Sequence, residues 1–528
     1  MIKDMSMILN PILTGFHPDP SILRVGEDYY IATSTFEWFP GVMIYHSKNL
    51  AEWELIACPL NDFRYNMEGI PPSGGVWAPC LSYSDGLFYL VYTIVHSYDG
   101  IFKDCRNYLI TSNKINGQWS EPVFLHSIGF DPSLYHDIDG RKWLVSMQQD
   151  FGYNRGEFGG IVIQEYDVEN KIMLGEPELI FKGTKLGNTE GPHIYYRQGY
   201  YYLLVAEGGT EYDHAVSVAR SKNVNGYYSA YENNPIMTTR EVPQFKLQKA
   251  GHGSLVETKD GDWYMAHLCA RPIGMQRMCI LGRETALQKV GWKGEWPELS
   301  NGTSVPELEV PINISFKERK KYYFKEDFDK SNWDLRLQTL RCSLGKRASC
   351  DIRPGYLRLY GGESLQSNFQ QSILAHRQQF LESQVTTTVA FAATDFRQMA
   401  GLIYYYDNQS YFYLFISRNR EKKKVLNILS MVMGRSTWPL GDGILIPENE
   451  DIYLRLRTYG ETAQYFVSVN GKEYESIGPK IDAVVLSDDY YYKFGQYRFT
   501  GAFIGLCCQD LTGREIYADF DFYEYREM

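Results

Sequence analysis

Along the first three hundred residues, apolar positions alternate over short runs and never keep helical spacing for long, which predicts strands joined by tight turns. Runs such as VMIYHS at 42–47 and IVIQEY at 161–166 carry the β-branched and aromatic residues that suit a pleated surface. One element recurs five times: PDPSILRVGEDYYIATS from Pro18, WAPCLSYSDGLFYLVYT from Trp77, DPSLYHDIDGRKWLVSM from Asp131, EGPHIYYRQGYYYLLVAE from Glu190 and GHGSLVETKDGDWYMAHL from Gly251. Each copy holds a short strand, a turn containing Gly and an aromatic strand. The turns include Asp85-Gly86, Asp139-Gly140, Gln198-Gly199 and Asp260-Gly261, residues that tolerate the positive φ of a hairpin. The aligned prolines Pro20, Pro79, Pro132 and Pro192 are 59, 53 and 60 residues apart, an interval that fits one four-stranded blade with its loops. An all-β fold follows, with a five-bladed β-propeller over residues 1–305.

After this the pattern changes. Residues 306–321 mix turn formers, proline and a basic run, and are expected to form a linker. From 322 to 528, segments such as VTTTVAFAA (385–393), SYFYLFISR (410–418) and TAQYFVSVNG (462–471) alternate or are wholly apolar, predicting an antiparallel β-sandwich of the jelly-roll, lectin-like kind.

Composition narrows the function. Of 528 residues, 53 are Lys or Arg and 64 are Asp or Glu, a net charge of −11 that disfavours a nucleic acid or an anionic membrane as partner. No apolar run reaches membrane-spanning length, and the first residues lack the pattern of a secretory signal, so a cytoplasmic location is expected. The nine cysteines have no metal-ligand spacing and are expected to be reduced, with Cys507 and Cys508 on opposite faces of one strand. Aromatic residues reach 15%, enough to fill β cores and still supply flat faces for sugar rings.

If the five copies are equivalent, Asp19, Asp131 and Glu190 meet beside the propeller axis at one register, with Trp77 and His252 in the matching places of the second and fifth copies. Carboxylates gathered in this way repel one another and shift their pKa values upward unless they are compensated. Two of them flanking a glycosidic oxygen supply an acid and a base. Arg283 beside Asp19 would keep that group ionised, and Asp131 beside Glu190 would keep Glu190 protonated. Trp77 and Phe36 offer stacking faces, and His252 offers a hydroxyl donor or a cation ligand.

At these positions the chain resembles glycoside hydrolase family 43, in particular its two-domain β-xylosidases and α-L-arabinofuranosidases. The resemblance runs through NPILTGFHPDPSI (10–22), TSTFEWFPGV (33–42), GGVWAPCLSY (74–83), GFDPSLYHD (129–137), LGNTEGPHIY (186–195), GHGSLVET (251–258) and LGRETALQK (281–289), and through FTGAFIGL (499–506) in the second half. It implies an inverting exo-hydrolase of terminal xylosyl residues acting on short oligosaccharides, with Asp19 as general base, Glu190 as general acid and Asp131 as modulator of the acid; an α-L-arabinofuranosidase or bifunctional enzyme is the alternative, and a non-catalytic carbohydrate-binding propeller the rival from another class. Phe36, Trp77, His252 and Arg283 then line the sugar pocket, and Phe503 or Phe499 closes it from the sandwich. The chemistry implied needs no cofactor. Relatives that carry calcium or another divalent ion near the position of His252 extend the expectation to a cation there. Exposed strand edges permit a homo-oligomer. Two departures stand out: Gln148-Gln149 where many relatives have a tryptophan, expected to weaken stacking on the leaving-group side, and Cys279-Ile280-Leu281 before Arg283, expected to reshape the pocket floor.

Overall fold

A computed structural model describes residues 6–153, 155–312 and 320–528. Five antiparallel sheets follow one another along the chain, led by strands Ser21–Val25, Gly75–Ser84, Ser133–His136, Glu190–Arg197 and Gln248–Glu257. These leading strands pack side by side around one axis, and the first closes against the fifth. This is the five-bladed propeller.

Side chains staple the inner ring. Ser21 Oγ accepts from Leu81 N (3.1 Å), Ser254 Oγ from Ile22 N (3.1 Å) and Tyr195 OH from Leu255 N (2.7 Å), so neighbouring blades satisfy each other's edge groups. The start of the chain seals the ring from outside. Asn10 donates to Leu287 O and accepts from Leu287 N, both at 2.8 Å, while Leu13 pairs with Thr285 and strand Ser6–Leu9 pairs with Glu309–Ile312. The expected linker therefore begins with a strand that belongs to the propeller; its residues 313–319 lie outside the described ones.

The second half is a sandwich of two antiparallel sheets, one built around Glu382–Phe391 and Tyr517–Glu527, the other around Gln398–Asp407, Ser410–Arg418 and Phe503–Asp510. Cys507 and Cys508 do face opposite ways: Cys508 joins the core between the sheets and Cys507 the core shared with the propeller. That shared core joins Phe16, Phe36, Trp38 and Trp77 to Ile403, Tyr405, Tyr413 and Phe503. Strand Thr339–Leu340 pairs with Trp38–Phe39, and the buried Arg377 donates to Phe16 O (2.6 Å) across the boundary. The two halves are locked by apolar packing and by buried hydrogen bonds such as that of Arg377, which is the condition for placing residues of one domain in the other's pocket.

Candidate active site

The repeat has a backbone signature at the axis. In every blade the residue before the aligned Pro, or before Gly253 in the fifth, has a positive φ: Asp19 (55°), Ala78 (25°), Asp131 (55°), Gly191 (56°) and His252 (49°). Four of these five are not glycine, and such backbone is costly enough to persist only where its surroundings enforce it. This corrects the expected register. Asp19, Asp131 and His252 are equivalent, but Glu190 and Trp77 stand one residue earlier, ahead of Gly191 and Ala78. Glycine at 191 has a local reason, because a Cβ there would come within 3.0 Å of the His252 ring.

The three acids nevertheless converge. Asp19 is buried and accepts from Ser34 Oγ (2.7 Å) and Arg283 Nη1 (3.1 Å), with His252 Nδ1 3.6 Å away. Asp131 accepts from Gly191 N at 3.1 Å, which ties it to the residue next to Glu190. Burial, followed by the charges of Glu190 and Asp19, holds the Asp131 carboxyl well above the usual range. Burial, aided by Asp19, pushes Glu190 up to about 8, against the opposing pull of Arg283 and Lys103. The site thus holds one acid bonded to a guanidinium and two whose carboxyls are shifted upward. His252 is a neutral imidazole, its pKa lowered chiefly by burial.

Aromatic walls surround this floor. Phe36 and Trp77 lie 5.8 Å apart, Trp77 is 5.5 Å from Phe130 and 5.8 Å from Tyr98, and the Arg283 guanidinium sits 5.3 Å from the Phe36 ring centre. Phe499 of the sandwich completes the wall, 5.4 Å from Trp77 and half-buried. Phe503 does not. It is fully buried and stacked on Trp38 at 3.7 Å, so it holds the domains together and presents no face to a ligand. Phe499 reaches the pocket because Gly501 packs directly on Leu281 and Gly282; a Cβ at 501 would meet Leu281 O at 2.5 Å. The segment Cys279-Ile280-Leu281 is accordingly a docking seam and not the pocket floor: Ile280 O accepts from Ala502 N (3.0 Å) and Cys279 N donates to Asp489 (2.9 Å).

On the side of Glu190, Gln149 Nε2 reaches the carbonyl of Lys103 (3.4 Å), and Lys103 pairs with Glu157 (2.7 Å). Gln148 donates to Gly159 O (3.2 Å), so neither glutamine supplies a flat stacking face there. Sequence reasoning gave no role to Ser34, Thr210, Tyr98, Phe130 or Lys103. Thr210, which accepts from Arg283 Nη1 (2.9 Å), and Ser34 sit inside recognisable motifs, whereas Tyr98 and Lys103 are loop residues whose placement only the fold reveals. Among the described residues, no group of three or more His, Cys, Asp or Glu side chains could hold a metal ion, and no chemical step is assigned to one.

Comparison with known proteins agrees with this geometry. Residues 8–297 match the model of glycosyl hydrolases family 43, and residues 325–526 match the β-xylosidase C-terminal concanavalin A-like domain. The chain is 46% identical to a β-xylosidase of Bacillus subtilis (strain 168), over 98% of this chain and 99% of that protein. It is 44% identical to xylosidase/arabinosidase 43B of Humicola insolens, over 99% and 98%. The crystal structure of xylan β-1,4-xylosidase from Bacillus halodurans C-125 superposes with a TM-score of 0.95 at 46% identity, covering 98% of this chain and all of that one. The chain is a member of glycoside hydrolase family 43.

Proposed function

We propose that the protein is an exo-acting β-xylosidase that removes terminal β-D-xylosyl residues from short xylo-oligosaccharides with inversion. The observation that carries this reading is the division of charge in one pocket: Asp19 bonded to Arg283 and Ser34, and Glu190 pushed up to about 8. Glu190 gives its proton to the departing glycosidic oxygen. Asp19 takes a proton from a water molecule as that water's oxygen attacks the sugar carbon from the opposite face. Asp131 orients the turn that carries Glu190 through Gly191 N. Phe36, Trp77 and Phe499 enclose the sugar while Arg283 and the neutral His252 offer donors to its hydroxyls. A wall contributed by the second domain blocks passage of a long chain and favours attack at a chain end. Delivery of short oligosaccharides to such a pocket suits an enzyme of the cytoplasm.

The name of the Humicola relative carries both activities, so arabinofuranoside cleavage is the second reading. Rates on an aryl β-xyloside and an aryl α-L-arabinofuranoside rank the two. Asp19→Ala and Glu190→Ala should each lower xylobiose turnover by about 10²–10⁴-fold, and the first product anomer seen by NMR should be inverted. Unchanged turnover in both variants would sink the assignment.

A further inference from the structure

Lys249 is wholly buried in the leading strand of the fifth blade, three residues before His252. Its ammonium touches three carboxylates: Glu211 of the propeller at 2.8 Å, and Asp489 (2.8 Å) and Asp488 (3.4 Å) of the sandwich. Asp489 also accepts from Cys279 N at 2.9 Å, so one end of the segment 488–501 is bonded twice to the propeller. Its middle is open to solvent, with Tyr492 at 51%, Phe494 at 60% and Tyr497 at 53% exposure. The far end returns to the pocket, where Phe499 N donates to Ser73 Oγ (3.0 Å) and Phe499 O accepts from Arg283 Nη2 (3.2 Å). The segment is a strap anchored at both ends; between them Lys493 donates to Gln276 and the Tyr497 carbonyl accepts from Tyr98 OH (3.2 Å), while the aromatic rings stay open to solvent.

Two routes lead from Lys249 to Arg283. One runs through the strap to the Phe499 carbonyl. The other runs through Glu211 to its chain neighbour Thr210, whose hydroxyl accepts from Arg283 Nη1. Apolar packing would hold the strap over a range of positions, whereas an ammonium shared among three acids is satisfied in few geometries. We propose that Lys249 is a positioning residue: it seats the strap on the propeller and thereby sets Phe499 and the Arg283 guanidinium that holds Asp19. The inference rests on the pocket reading above, and concerns how the second domain is coupled to it.

The test compares Lys249→Met, Lys249→Arg, Asp489→Asn and Phe499→Ala, using the full chain and an aryl β-xyloside. Lys249→Met should lower kcat/KM by about 30-fold, Asp489→Asn by about fivefold, and Lys249→Arg should recover part of the loss. In Lys249→Met/Phe499→Ala the losses should fall short of multiplying, because both changes act on one strap. Limited proteolysis should nick residues 492–497 faster in Lys249→Met than in the wild type, a readout independent of activity. If Lys249→Met does not fold, the isosteric Asp489→Asn carries the same comparison. Folded variants with wild-type kinetics and wild-type nicking, or losses that multiply fully, would overturn the proposal. A wild type that cleaves neither xyloside nor arabinofuranoside would instead overturn the assigned reaction, leaving the proteolysis result to decide the strap.

Discussion

The pocket and the domain seam each gather three carboxylates, two of them buried, around one cation, and they divide the charge in opposite ways. At the seam, the Lys249 ammonium lies within 3.4 Å of all three acids. In the pocket, Arg283 bonds to Asp19, Thr210 and the Phe499 carbonyl through its two Nη atoms, while its Nε is buried without a partner. Asp131 and Glu190 have no such guanidinium bond, and burial above all raises both. A cation shared evenly makes a fastening; a cation reserved for one acid creates a base and an acid from chemically similar groups. The difference comes from reach, since the planar guanidinium is fixed by three partners while the ammonium can sit at the centre of its acids.

The largest effect should come from breaking the pocket's division. Glu190→Gln keeps the shape and removes the proton donor, so its cost should follow the leaving group. We expect a loss of about 10³–10⁴-fold on xylobiose and far less on an aryl xyloside whose leaving phenol is acidic. Equal losses on both substrates would argue that Glu190 binds sugar and does not protonate it.

The second prediction concerns pH. A general acid must be protonated, so kcat/KM of the wild type should hold up to about pH 8 and fall above it, following Glu190. Asp131→Asn leaves an acceptor for Gly191 N but removes the acid coupled to Glu190. Because burial and Asp19 are what raise Glu190, the alkaline limb should stay in place while the rate falls through loss of the acid's orientation. A limb that moved to lower pH would show that Asp131 adds to the rise in Glu190.

The third prediction separates two aromatics four residues apart, Phe499 in a loop and Phe503 at the start of the next strand. Phe503→Ala empties a fully buried site stacked on Trp38 and should cost about 3–5 kcal/mol of stability. Phe499→Ala removes a half-buried ring facing Trp77, and should raise KM about tenfold while the melting temperature changes little. Stability curves and Michaelis plots for the pair read out both claims.

These residues also mark where the sequence is legible. The blades could be read because every repeat restates the same strand, turn and strand, and those local patterns need no knowledge of neighbours. The pairing of Asp19 with Arg283 could be anticipated because each lies in a recognisable motif. The one-residue offset of Glu190 could not, since it depends on backbone that turns to positive φ at Gly191, and a glycine in a strand pattern has several readings. The choice between Phe499 and Phe503 was likewise hidden: it is decided by Gly501 meeting Leu281, a contact between residues 220 positions apart. Lys249 carried no signal at all, because three of its four cluster members are unremarkable until the domains dock.

The smallest expected effect lies at the seam and tests whether its even sharing is complete. Burial raises Asp488 from an ordinary value of 3.8 to about 8, with Asp489 and Glu211 adding to the rise and Lys249 opposing it. A carboxyl whose folded pKa is raised binds a proton in the folded state that the unfolded chain has released. Its contribution is full below about pH 4 and is lost as pH climbs through the window up to about 8. Asp488→Asn removes that proton uptake while keeping an acceptor for Lys249. The variant should melt close to the wild type near pH 5 and gain on it steadily toward pH 8, by a few degrees at most for a chain of this size. A gap that stays constant over that range would mean that Asp488 is ionised in the folded protein and that Lys249 neutralises it fully, making the seam a tighter fastening than the pocket is a loose one.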